Sequence, residues 1–169
     1  MKKHTDTPGT EACGCEGGRR EFLCRTAALV AGLAASTGGL AAALPIRLGE
    51  ALSRNGDEAT YPIPATDSVT IDQANAVIVV RYQGKMMVLN LACPHQQAAV
   101  RWKQANLTFE CTKHDSVYKP DGTYVTGRAT RNLDRLPVHR NGNSVVANVA
   151  ETIESDTDQA AWNAAFVAV

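Results

Sequence analysis

The chain has 169 residues, and its 17 Lys and Arg are matched by 17 Asp and Glu, for a formal net charge of zero. That balance excludes a basic footprint for nucleic acid and any general attraction to an anionic membrane surface. The length admits one globular domain of roughly 110–120 residues plus a short leading segment, so one core and one site are expected.

Residues 1–25 are polar, and Cys13-Gly14-Cys15 is too weak a pattern to mark a metal or redox pair, so this stretch reads as a disordered cytosolic tail. It ends in Gly18-Arg19-Arg20-Glu21-Phe22-Leu23, and Thr26 to Ile46 then runs without a charged residue between Arg25 and Arg47. A segment with no polar face is unusual outside membranes and large cores, which predicts an N-terminal hydrophobic helix over 26–47. The paired Arg, the apolar pair after them and the Ala- and Gly-rich core resemble a twin-arginine (Tat) export signal. The stretch is just long enough to span a bilayer. Retained, it would anchor the chain in the cell membrane with its domain on the periplasmic side. Cleaved at the Ala41-Ala42-Ala43 run, it would leave a periplasmic protein. Residues 48–60 are polar and contain Gly, and read as a linker.

From residue 61 to 150 short β-branched runs alternate with turn signals, the pattern of an all-β domain. Strands are expected at 68–71, 76–82, 85–91, 100–103, 107–110, 116–118, 123–125, 136–139 and 144–149. Gln83-Gly84, Pro120-Asp121-Gly122 and Asn141-Gly142 supply the turn chemistry between them. In the C-terminal tail, 151–169, Trp162 and Phe166 stand four apart and predict one face of a short helix packed on the domain. His139 follows a strand-like run and reads as a surface residue.

Two clusters in the middle of this domain carry the chemistry. Cys93-Pro94-His95 and Cys111-Thr112-Lys113-His114 are separated by fifteen residues, and each falls just after a predicted strand, so each would sit on a loop. Two Cys and two His suit a closed tetrahedral zinc site, which is the structural alternative. They equally suit a two-iron cluster in which two soft thiolates hold one iron and two neutral imidazoles the other, an arrangement that removes negative charge and raises the reduction potential. The C-x-H and C-x-x-H spacing closely resembles the Rieske [2Fe–2S] iron–sulfur protein family.

That resemblance implies an antiparallel β-sandwich with a small cluster-binding subdomain and one [2Fe–2S] cluster per chain. Cys93 and Cys111 would hold the inner iron, and His95 and His114 the outer. It further implies that Ser116 and Tyr118 raise the potential by donating hydrogen bonds to sulfur, and that Gly127-Arg128-Ala129-Thr130 forms a third loop over the cluster, although related proteins carry Pro in it. Ala98 and Lys113 stand where cytochrome bc-type members carry two further cysteines, and Asp115 where Gly is usual. A carboxylate there would lower the potential and Lys113 would raise it.

The expected function is single-electron transfer in a membrane-associated respiratory complex, as a quinol:cytochrome c reductase-like subunit with cytochrome b, quinol and a c-type cytochrome as partners. The alternative is the small subunit of a periplasmic molybdenum enzyme such as arsenite oxidase, with a molybdopterin subunit as partner. The polar pair Gln96-Gln97, where quinol-oxidising members present an apolar residue, weighs against the first reading. A catalytic oxygenase subunit is excluded, because the chain has no room for a separate non-haem iron domain.

Overall fold

The computed structural model describes Leu44 and residues 46–169. The twin-arginine motif and nearly all of the hydrophobic helix expected over 26–47 lie outside the described residues. Where they begin, the chain is already extended: β1 (Ile46–Leu48) pairs in parallel with β4 (Ser68–Asp72). Among the described residues no helix is long and apolar enough to cross a membrane.

The centre of the domain is a five-stranded sheet in the order β1-β4-β5-β6-β13, with β5 at Val77–Tyr82, β6 at Lys85–Asn90 and β13 at Val167–Ala168. Strands β5 and β6 form a hairpin through Gln83-Gly84, both at positive φ. Period-two alternation sends their side chains to opposite faces, and both faces are buried. Val77, Val79, Met86 and Val88 pack with Ala59, Tyr61, Val145 and Ala147 of a four-stranded sheet ordered β11 (Val138–Asn141), β12 (Ser144–Asn148), β3 (Glu58–Pro62), β2 (Ser53–Asn55). Ile78, Val80, Met87 and Leu89 turn the other way, into a core shared with Cys93, Trp102, Phe109, Cys111 and Tyr118. The last group belongs to a third sheet, β10-β9-β8-β7, inserted between β6 and β11 (Val138–Asn141). Its strands are β7 (Val100–Lys103), β8 (Thr108–Cys111), β9 (Val117–Tyr118) and β10 (Tyr124–Thr126). The expected antiparallel β-sandwich with a small inserted subdomain is what the chain forms.

The segment expected as a linker, 48–60, is instead structured. It carries β2 (Ser53–Asn55) and most of β3 (Glu58–Pro62), a hairpin turning at Gly56 with φ +61°, and β3 pairs with β12 (Ser144–Asn148). The polar composition that suggests a linker belongs to an edge hairpin, whose outer strand faces water. Among the described side chains of this hairpin only Ala59 and Tyr61 are buried, too few to show an alternation in sequence. The buried Asp72 pins it to the turn after β4: its carboxylate accepts from the Tyr61 hydroxyl at 2.9 Å, the Ala74 N–H at 2.9 Å and the Asn75 side-chain amide at 2.7 Å. Burial pushes this carboxyl up, and the donors more than offset it, leaving it below its usual range.

The C-terminal tail folds back on the domain. Asp158 caps α1 (Gln159–Ala164), accepting from the Ala161 N–H at 2.8 Å, and Trp162 is buried with its indole N–H bonded to the Leu133 carbonyl at 2.8 Å. The Arg135 guanidinium lies 3.7 Å from the Trp162 ring centroid and donates to the carbonyls of Trp162 and Asp121. Burial pulls this guanidinium down to about 10. Phe166 lies beyond the helix rather than on its face, because the chain leaves the helix at Ala165 to enter β13. His139 is exposed, as expected.

Candidate metal centre

The first cysteine–histidine pair sits on the loop between β6 and β7. Its ends are tied by a bridge between Ala92 and Ala99, the Cys93 N–H donates to the Ala98 carbonyl at 2.8 Å, and the Gln97 N–H donates back to the Cys93 carbonyl at 2.9 Å. The second pair sits between β8 and β9, where the Cys111 N–H donates to the Ser116 carbonyl at 2.8 Å. The Thr112 N–H and hydroxyl both donate to Ala99 O, at 3.1 and 2.9 Å, and so tie the two loops together.

The two loops bring their histidine rings together, and both cysteines enter one core. Cys93 and Cys111 are free thiols, both buried, and the rings of His95 and His114 meet edge to face with centroids 4.7 Å apart. Nδ1 of both histidines is buried with no hydrogen-bond partner. A buried polar atom without a partner is costly, and two of them on facing rings, in a domain whose two cysteines are buried free thiols, suit a metal group. Partial burial, and then the positive charges of His95, Arg128 and Lys113, hold His114 below the usual histidine range, with Asp115 opposing. That favours the neutral imidazole a metal requires. Among the described residues no three His, Cys, Asp or Glu side chains are grouped to hold one ion.

Tyr118 is fully buried, and its hydroxyl lies 3.1 Å from Cys93 Sγ. Burial first, and then the contact with Cys93, push this phenol well above its usual range, so it keeps its proton and is the donor whenever Cys93 is a thiolate. Ser116 is also fully buried, and its Oγ accepts from the N–H groups of Arg128 and Ala129 at 3.1 and 3.0 Å. The third loop therefore lies on the second ligand loop. Gly127 allows the approach: it has φ +112°, and a Cβ there would stand 2.3 Å from Ser116 Cα and 2.6 Å from the Asp115 carbonyl.

Tyr124 is a site residue that sequence reasoning missed. Its hydroxyl donates to the Gly127 carbonyl at 2.8 Å, and its ring meets Tyr118 at 6.0 Å. The signal was available, because the hairpin implied by Pro120-Asp121-Gly122 places Tyr118 and Tyr124 as cross-strand partners.

Comparison with known proteins identifies the domain. Residues 57–139 match the family model described as the Rieske [2Fe-2S] domain. Over 74 residues, 44% of this chain, the sequence is 31% identical to the chloroplastic cytochrome b6-f complex iron-sulfur subunit of Bigelowiella natans, and the match spans 29% of that protein's length. Among solved structures, the plasma membrane Rieske protein PetC3 from Synechocystis PCC 6803 is similar, with 26% identity, 48% of this chain and 84% of that chain covered, and a TM-score of 0.40. The chain therefore carries a Rieske [2Fe–2S] domain over residues 57–139, and its cofactor is a [2Fe–2S] cluster.

Proposed function

We propose that this protein is a one-electron carrier in which Cys93 and Cys111 ligate one iron, and His95 and His114 the other through Nδ1. The observation that carries the reading is the pair of buried, partnerless Nδ1 atoms on facing histidine rings, together with two buried free thiols. When bound, the cluster takes up and releases one electron at a time. The chain's own groups set the conditions for this. Tyr118 donates to Cys93 Sγ, favouring the more negative, reduced state. The second ring nitrogen of His95 and of His114 is left to release or accept a proton as the electron moves.

The twin-arginine segment supports export of the folded, cluster-bearing domain, with residues 26–47 as signal or anchor and the cluster domain on the periplasmic side. The likeness to a cytochrome b6-f iron-sulfur subunit supports a place in a quinol-oxidising membrane complex. One observation favours a second reading. Gln96 and Gln97, beside His95, and Lys113 and Arg128, near His114, are all exposed, so the rim of the site is polar. Such a rim suits a hydrophilic partner such as a molybdopterin subunit better than an apolar pocket in a cytochrome b.

The test is electron paramagnetic resonance of the dithionite-reduced full chain, titrated at several pH values. A rhombic signal with average g below about 2, and a midpoint that falls as pH rises through the histidine ionisations, is expected for this ligand set. A silent chain holding zinc would overturn it. Rapid reduction by a short-chain quinol would favour the quinol-oxidising complex, and inertness toward quinol the molybdenum enzyme.

A further inference from the structure

We propose that the Arg128 backbone N–H and the Tyr124 hydroxyl are positioning groups that aim the Ser116 hydroxyl proton at the sulfur side of the site. The inference rests on the cluster reading above and concerns residues that lie on the third loop and on β10.

A serine hydroxyl has one proton to donate and two lone pairs to accept with. Here both lone pairs are taken, by Arg128 N–H at 3.1 Å and Ala129 N–H at 3.0 Å, and Ser116 has no exposure to water. The proton is left for the side opposite the third loop, where the Tyr118 hydroxyl, itself 3.1 Å from Cys93 Sγ, meets the Ser116 side chain. Two N–H donors also polarise the O–H and make it a stronger donor, since hydrogen bonds in a chain reinforce one another.

The Arg128 N–H is there to donate only because residue 128 is not proline, which has no N–H. The Arg128 side chain is exposed, so its backbone is the part that reaches Ser116. The loop is set at this distance by Gly127, where no Cβ fits, and by the Tyr124 hydroxyl, which holds the Gly127 carbonyl at 2.8 Å. Tyr124 is itself fixed in register with Tyr118 by the β9–β10 pairing. The loop thus obtains from hydrogen bonds the rigidity that a proline ring would otherwise supply.

The test compares the midpoint potentials of cluster-bearing full-length Arg128→Ala and Arg128→Pro, each also made with Ser116→Ala. Arg128→Ala removes the side-chain charge and keeps the N–H, whereas Arg128→Pro removes both. The expected result is a lower midpoint for Arg128→Pro than for Arg128→Ala, and no difference between them once Ser116 is Ala. Tyr124→Phe should shift the midpoint downward by less, and speed amide exchange at Arg128 and Ala129.

Should Arg128→Pro fail to fold, amide exchange in the wild type and in Ser116→Ala decides the matter. Both amides should be protected in the first and lose protection in the second, while the Gly122 amide, bonded to the Lys119 carbonyl, is unchanged. A chain that takes up no Rieske cluster refutes the electron-carrier reading. A cluster-bearing chain overturns this inference alone if Arg128→Pro and Arg128→Ala share one midpoint, or keep their gap without Ser116. Amides that exchange freely in the wild type, or stay protected in Ser116→Ala, also overturn it.

Discussion

Both ligand loops close on the amide of their cysteine, Cys93 N–H to Ala98 O and Cys111 N–H to Ser116 O, each at 2.8 Å, and both turn through one non-glycine residue at positive φ, Gln97 and Asp115. Beyond that shared plan they are held differently. The first is finished by its own short bond from Gln97 to Cys93, and its tip, Gln96-Gln97, stands in water. The second is overlain by the third loop, which binds Ser116 from above and is held by Tyr124. The difference teaches where precision is needed. A loop closed by its own backbone bonds tolerates a solvated tip, whereas a loop whose serine accepts from two amides of another segment has to be held to a few tenths of an ångström. A hydrogen bond weakens steeply once its length or angle departs from the optimum.

The largest effect that would break this comparison is expected from Gly127→Ala. The added methyl would lie within van der Waals contact of the Ser116 backbone, at a φ that side chains rarely adopt. We expect a loss of more than about 3 kcal/mol and little cluster uptake, read by thermal unfolding and visible absorption. Gln97→Ala on the first loop should change stability by less than about 0.5 kcal/mol. If the two variants behave alike, the loops are not held differently.

Next in size, Tyr118→Phe removes the donor to Cys93 Sγ. A hydrogen bond worth about 1 kcal/mol more in the reduced state corresponds to a midpoint lower by about 40 mV for a one-electron couple. Potentiometric titration checks this, and an unchanged midpoint would remove Tyr118 from the tuning groups.

Asp115→Gly and Gln97→Gly sharpen the comparison further. Each relieves a side chain held at φ near +50° and should raise stability by up to about 1 kcal/mol. Only Asp115→Gly should also raise the midpoint, because it removes a carboxylate next to His114.

The smallest effect is with pH. Because the folded chain holds His114 below its ordinary value, the unfolded chain binds more protons there, so stability increases with pH across that interval. Denaturant unfolding of the metal-free chain should therefore show stability falling as pH drops below about 6.5 and levelling off below the folded value. His114→Asn should flatten that slope.

Much of this molecule was legible in the chain. The strands from Ser68 to Asn148 lie within about two residues of where alternation and turn residues place them, because each is a local pattern of side chains and Gly-containing turns. The cysteine–histidine clusters were legible for another reason: the chemistry demands particular residue types, and few other arrangements use C-x-H with C-x-x-H. The polar hairpin β2–β3 and the two-residue strand β13 were not, since one looks like a linker and the other is too short to show a period.

What the amino-acid sequence determined by itself is the strands from Ser68 to Asn148 and the Cys/His motif of the domain, since both are written within a few neighbouring positions. The tertiary structure alone decided that Tyr124 would hold Gly127, that Ser116 would accept from two amides of a distant loop, and that Arg135 would stack on Trp162 across the C-terminal fold. The contacts of Ser116 and of Arg135 join residues whose separation along the chain says nothing of their distance, and all of these contacts exist only once packing has closed the core and brought the loops within hydrogen-bond reach.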